Sequence, residues 1–363
     1  MITEKSELKT AHIQKSATQQ INDFIFTSKA SFQLESGAVL PEIHLAFETF
    51  GNMNASGDNV IWVFHALTAN ANPLEWWDGL IGNGKLFNPQ EHFIVCVNIP
   101  GSSYGSISPL SIDPINSKPY YHDFPIITTR DMVRMYAFLQ QKLGIKKIKI
   151  GIGGSMGGMQ LLEWSIEQPD LFENIVLIAT NALHSPWGIA FNETQRMAIE
   201  NDTTWLQKNE KAGMQGLSTA RAIALLSYRN YNPYKHTQSE TNDDKIDNFK
   251  ASSYQNYQGF KLTQRFNAFS YYTLTKSMDS HNVGRGRVSV SEALKKITAK
   301  TVVIGIESDL LFPIEEQKLL ASEIKDAKFE KIDSIYGHDG FLIEYEQLEK
   351  IIKKNISLKN KNV

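Results

Sequence analysis

The sequence predicts an α/β fold, a mostly parallel central sheet with helices on both faces, carrying a helical insertion. Three observations support this. Short apolar runs alternate with helical segments, the pattern of parallel strands covered on both sides. The alternation stops near Ala182 and resumes near Lys300. A glycine-rich turn around Ser155 joins a buried strand to an apolar helix. The 363 residues suffice for one large domain with an insertion.

Taken in order, FQLESG (32–37) and EIHLAFETFG (42–51) read as β-rich segments separated by turn residues. NVIWVFHAL (59–67) and HFIVCVNIP (92–100) are nearly continuous apolar runs, as buried strands require. Thr128 and Thr129 can cap the helix RDMVRMYAFLQQKLG (130–144), which Gly144 closes. A buried strand KKIKIGIGG (146–154), an apolar helix MGGMQLLEWSIEQ (156–168) stopped by Pro169, and a strand ENIVLIAT (173–180) follow. From about Ser185 to Leu294 the periodic segments are helical: FNETQRMAIE (191–200), GLSTARAIALLSYR (216–229) and SYYTLTKSM (270–278). QSETNDDKID (238–247) reads as a polar loop. The strand KTVVIGIES (300–308), a helix IEEQKLLASEI (314–324) after Pro313, a strand-like AKFEKIDSI (327–335) and an amphipathic helix FLIEYEQLEKIIKKNI (341–356) complete the pattern. The tail SLKNKNV is expected to fray. The expected division is a core of 1–184 and 295–363 interrupted by an insertion of 185–294.

Composition excludes several classes. With 42% hydrophobic and 21% charged residues, the chain is neither disordered nor collagen-like. A net charge of −2 leaves no electrostatic footprint for nucleic acid or an acidic membrane. The start MITEKSELKT lacks the apolar stretch of a signal peptide, and no apolar run is long enough to cross a bilayer. One cysteine, Cys96, cannot form an internal disulfide, so a cytoplasmic setting is expected. No His/Cys/Asp cluster has metal-ligand spacing, and no G-x-G-x-x-G opens a helix after the first strand, so neither a metal nor a nucleotide cofactor is expected.

The chemistry is expected at Gly153-Gly154-Ser155-Met156-Gly157-Gly158, which contains G-x-S-x-G between strand and helix. This is the context of a nucleophile elbow, where close packing excludes bulky neighbours and the helix N-terminus favours developing negative charge. An activated serine needs a base and an orienting carboxylate. Asp309 and His338 follow Ser155 in the order this arrangement uses, each after a strand. Glu307 and Asp333 are lesser candidates for the acid, and Asp309 could instead cap the next helix. For the oxyanion, the N–H groups of Met156 and Leu67 are the expected donors. His65 reads as a structural hydrogen-bonding residue.

HALT (65–68), EWWDGLIGNGK (75–85), FIVCVN (93–98), YGS (104–106), GGSMGGMQLLEW (153–164), FNETQRMAI (191–199), GLSTARAIALLSYR and HDGFL (338–342) together resemble the homoserine O-acetyltransferases, a branch of the α/β-hydrolase fold. The resemblance runs from roughly residue 30 to residue 355. It implies a ping-pong reaction in which Ser155 takes an acetyl group from acetyl-CoA and passes it to the hydroxyl of L-homoserine. His338 would act as base, Asp309 would orient it, and the insertion would form a lid. It also implies Arg221 as the grip for the substrate carboxylate, Asp339 for its ammonium group, and Tyr228 as a further substrate contact. Arg221 and Tyr228 are seven positions apart, two helical turns, and so share a face. A homodimer is implied as well. Related enzymes use succinyl-CoA or serine on the same frame, and a serine esterase or thioesterase would use the same triad.

Overall fold

The computed structural model describes residues 12–15 and 23–358. The polar start and the end of the tail therefore lie outside the described residues. Among the described residues the central sheet contains nine strands: β1 (His12–Lys15), β2 (Asp23–Ser28), β3 (Ile43–Phe50), β4 (Val60–Phe64), β5 (Phe93–Val97), β6 (Ile148–Gly154), β7 (Phe172–Ile178), β8 (Lys300–Ile306) and β9 (Lys328–Ile332). Their spatial order is β1-β2-β3-β5-β4-β6-β7-β8-β9. The first three pair antiparallel, and β3 is antiparallel to β5. From β5 to β9 every pairing is parallel.

Strand character follows burial. All residues of β4 and β6 are buried, because helices cover both faces of this part of the sheet. Alternate residues of one strand therefore serve opposite cores. Val60, Trp62 and Phe64 join the cluster under α1 (Thr129–Lys142) and α2 (Met156–Glu167). Ile61 and Val63 join the cluster that ends on Leu348, Ile351 and Ile352.

Thr128, not Thr129, caps α1. Its side chain accepts from the Asp131 N–H, and Asp131 reciprocates in a capping box. Within 185–294 lie α3 (Pro186–Glu200), α4 (Met214–Tyr228), α5 (Tyr231–Gln238), α6 (Lys250–Thr263), α7 (Ala268–Asp279) and α8 (Val290–Leu294). Among the described residues this stretch contains no strand of the central sheet. The core resumes with β8, α9 (Ile314–Glu323), β9 and α10 (Tyr345–Asn355).

Three expectations need correction. FQLESG contributes only Phe32–Gln33, which pairs with Val39–Leu40 outside the main sheet. Glu35 instead turns inward to Arg130 at 2.6 Å and Arg285 at 2.8 Å. DFIFTS (23–28), not anticipated as a strand, takes the place beside β3. The last helix does not begin at Phe341: a 3₁₀ turn, Gly337–Leu342, precedes α10. That turn carries His338 inward while Phe341 packs edge-on against Trp77.

Candidate active site

Ser155 sits at the junction of β6 and α2 with φ 56° and ψ −128°. The turn is closed by close approach of backbone to backbone. A Cβ on Gly157 would lie 2.1 Å from the Phe64 carbonyl oxygen, and one on Gly153 2.6 Å from the Gly157 carbonyl carbon. Only glycine fits at either position. The Met156 N–H opens α2, where the first amides have no partner within the helix.

Asp309, after β8, and His338, in the 3₁₀ turn after β9, are brought together. Nδ1–H of His338 donates to Oδ2 of Asp309 at 2.6 Å. The other Asp309 oxygen accepts from the Leu311 N–H at 2.8 Å and the Phe312 N–H at 2.9 Å. Both side chains are buried. Phe312 stacks on the imidazole at 5.1 Å and Phe341 meets it edge-on at 5.4 Å. With Nδ1 donating, Nε2 is left as the acceptor. Glu307 and Asp333 instead bind Lys331 at the surface.

Ser155 and His338 line one cavity of about 500 Å³, together with Leu67, Arg221, Tyr228 and Asp339. Leu67 lies in the tight turn after β4, in which the Ala69 N–H donates to the Ala66 carbonyl at 3.0 Å. His65 supports this loop: Nε2 accepts from the Ile99 N–H at 3.0 Å and Nδ1–H donates to the Ala66 carbonyl at 2.8 Å. Burial pushes its pKa down to about 4, so it stays neutral.

The Arg221 guanidinium lies 5.4 Å from the centroid of the Tyr228 ring. Among the described residues no carboxylate pairs with it. Burial raises the Tyr228 phenol, so it remains protonated. Asp339 already has a cationic neighbour, since Nε–H of Arg229 donates to Oδ2 at 3.1 Å.

Sequence reasoning missed Arg229, and it missed Lys261 and Arg265, which also line the cavity. Arg265 donates to the Thr68 carbonyl and to the Tyr104 hydroxyl, and the Tyr104 hydroxyl donates to the same carbonyl at 3.3 Å. Arg229 ends the run GLSTARAIALLSYR, but its partner lies 110 positions away and no spacing rule joins them. Among the described residues no group of His, Cys, Asp and Glu is placed to hold a metal ion, and no helix is long and apolar enough to cross a membrane.

The alpha/beta hydrolase fold family matches residues 59–345. The chain is 51% identical to a homoserine O-acetyltransferase of Cyclobacterium marinum, over 95% of this chain and 97% of that protein. The crystal structure of a homoserine O-acetyltransferase from Bacillus anthracis superposes with a TM-score of 0.85 at 25% identity, covering 94% of this chain and 99% of the other. Esterase E22 superposes with a TM-score of 0.83 at 20% identity, covering 96% and 100%, which is a likeness of fold alone. Fold and elbow thus define an α/β-hydrolase-fold enzyme. Within that class, the chain belongs to the homoserine O-acetyltransferase family and is an acyltransferase.

Proposed function

We propose that this enzyme transfers the acetyl group of acetyl-CoA to the side-chain hydroxyl of L-homoserine, giving O-acetyl-L-homoserine and CoA in methionine biosynthesis. Ser155 Oγ attacks the thioester carbonyl while its proton passes to Nε2 of His338. The tetrahedral oxyanion rests on the Met156 and Leu67 N–H groups. Its collapse breaks the C–S bond, and the thiolate leaves with the proton from Nε2. The homoserine hydroxyl then attacks the acyl-serine, gives its proton to Nε2, and Ser155 Oγ recovers that proton on release. Asp309 keeps the imidazole in the required tautomer and balances the imidazolium.

The observation that carries this reading is the polar pair sharing the cavity with Ser155: Arg221, without a carboxylate partner among the described residues, and Asp339. Arg221 suits an α-carboxylate, held through parallel hydrogen bonds, and Asp339 suits an α-ammonium group. An esterase has no need of such a pair. In this reading 185–294 acts as the lid over the cavity, two copies associate, and the reaction takes place in the cytoplasm.

The test is CoA release from acetyl-CoA and from succinyl-CoA, each with homoserine, with serine and with no acceptor. Release that requires homoserine and prefers the acetyl donor is the expected result. Equal release with and without an acceptor would make the protein a thioesterase, and preference for succinyl-CoA or serine would reassign donor or acceptor.

A further inference from the structure

We propose that Arg229 is a positioning residue for the acceptor. It fixes the Asp339 carboxylate so that one oxygen is held and the other is left for the acceptor's ammonium group. The proposal rests on the reading of Asp339 given above.

Asp339 follows His338 in the turn Gly337–Leu342, and both line the cavity that holds Ser155. A lone aspartate there would sample several rotamers, and few of them would present an oxygen to an amino acid poised over Ser155. Arg229 removes that freedom. Its Nε–H takes Oδ2 at 3.1 Å, while among the described residues no side chain or amide donates to Oδ1. Arg229 is itself restrained. Its Nη1 donates to the Tyr254 hydroxyl, and its guanidinium lies 5.5 Å from the Tyr254 ring centroid. Tyr234 packs edge-on against Tyr254 at 5.9 Å. Residues of α5 and α6 thus form a support behind Asp339.

Chain geometry extends the argument. Arg229 is the residue immediately after α4, the helix that also carries Arg221. The helix that presents the carboxylate grip therefore runs directly into the residue that holds the ammonium grip. The seat is close, because a Cβ on Gly337 would lie 3.0 Å from the Tyr228 carbonyl oxygen. Arg229 also offsets part of the Asp339 charge, so its contribution to ammonium binding comes through placement rather than added attraction.

The experiment compares Arg229→Met and Arg229→Lys with the native enzyme and with Asp339→Ala. Acylation is read as the CoA burst from acetyl-CoA alone, and transfer as the homoserine KM. A second acceptor, 4-hydroxybutyrate, lacks the ammonium group. In Arg229→Met the homoserine KM should rise roughly tenfold or more, the scale of a lost charge-assisted contact, with the burst intact. The preference for homoserine over 4-hydroxybutyrate should narrow in parallel. Arg229→Lys keeps the charge but loses the planar fork, so it should fall between the two. An unchanged or lowered KM in Arg229→Met overturns the proposal, as does a parallel loss of the burst. If Asp339→Ala also leaves the KM unchanged, the reading of Asp339 falls with it; if Asp339→Ala raises the KM, only the role of Arg229 falls.

Discussion

Asp309 divides its carboxylate between two tasks. One oxygen caps the backbone at Leu311 and Phe312, and the other orients His338. Sequence reasoning set helix cap against triad acid; the amides that Asp309 accepts from belong to the loop before α9, which starts at Ile314 with Pro313 at its N-cap and no side-chain cap, while the second oxygen is placed against His338. In Asp309→Asn the amide oxygen can still accept from the backbone, but its NH₂ then faces Nδ1 and forces the proton onto Nε2. Turnover should fall by roughly 10⁴-fold, the scale of that tautomer error elsewhere. Asp333→Asn and Glu307→Gln, at the surface, should stay near native in the same steady-state assay. Arg221 gives the second residue-scale prediction. Arg221→Ala should lower kcat/KM for homoserine by about 10- to 100-fold, as for one lost charge-assisted contact, while the burst of CoA survives. A lost burst with an unchanged homoserine KM would move Arg221 to the donor side.

Among the elements, α2 shows how little slack the elbow has. It lies against β4 at Gly157, where even a methyl group would meet the Phe64 carbonyl at 2.1 Å. Gly157→Ala must push the helix off the sheet. We expect a loss of about 1–3 kcal/mol, the usual cost of overpacking, read as a lower urea midpoint. Activity should fall further than stability, because the same shift moves Ser155. The strands from β4 to β8 were legible in the sequence because burial on both faces leaves a nearly unbroken apolar run. DFIFTS was not, since its strand state depends on the partner β3. The segment after Phe32 was misread because Glu35 finds arginines rather than a neighbouring strand.

At the scale of the whole molecule, chain order and strand ends were enough to single out Ser155, Asp309 and His338, of which the structure pairs Asp309 with His338 and sets Ser155 and His338 on one cavity. The shell around them could not be found in this way. Arg229 meets Asp339 across 110 positions, and Arg265 meets Thr68 across 197, so only the folded insertion reveals these pairs. Stability should also depend on pH through buried histidines held neutral. Burial lowers His65 and His281 to about 4, and His281 is fixed between the Thr129 hydroxyl and the Asn181 carbonyl at 3.0 Å each. The unfolded chain binds protons at these sites from about pH 6.5 downward, and the folded chain does not until near pH 4. Their contribution is therefore fully present above pH 6.5 and lost as pH falls towards 4. Each fully titrating histidine adds a slope approaching 1.4 kcal/mol per pH unit. Urea midpoints should drop between pH 7 and pH 5, and His281→Gln should flatten that dependence.

The backbone at Ser155 has one more consequence. A φ of 56° with ψ −128° is unfavourable for any residue with a Cβ, and holding it there costs about 1–3 kcal/mol. The surrounding sheet and helix therefore keep Ser155 under tension, and the protein is less durable than its own scaffold allows. Ser155→Ala and Ser155→Gly should both be inactive, but only the glycine variant relaxes the turn. Despite the greater freedom of glycine in the unfolded chain, Ser155→Gly should melt above Ser155→Ala. Equal melting temperatures would mean that the turn carries no such load.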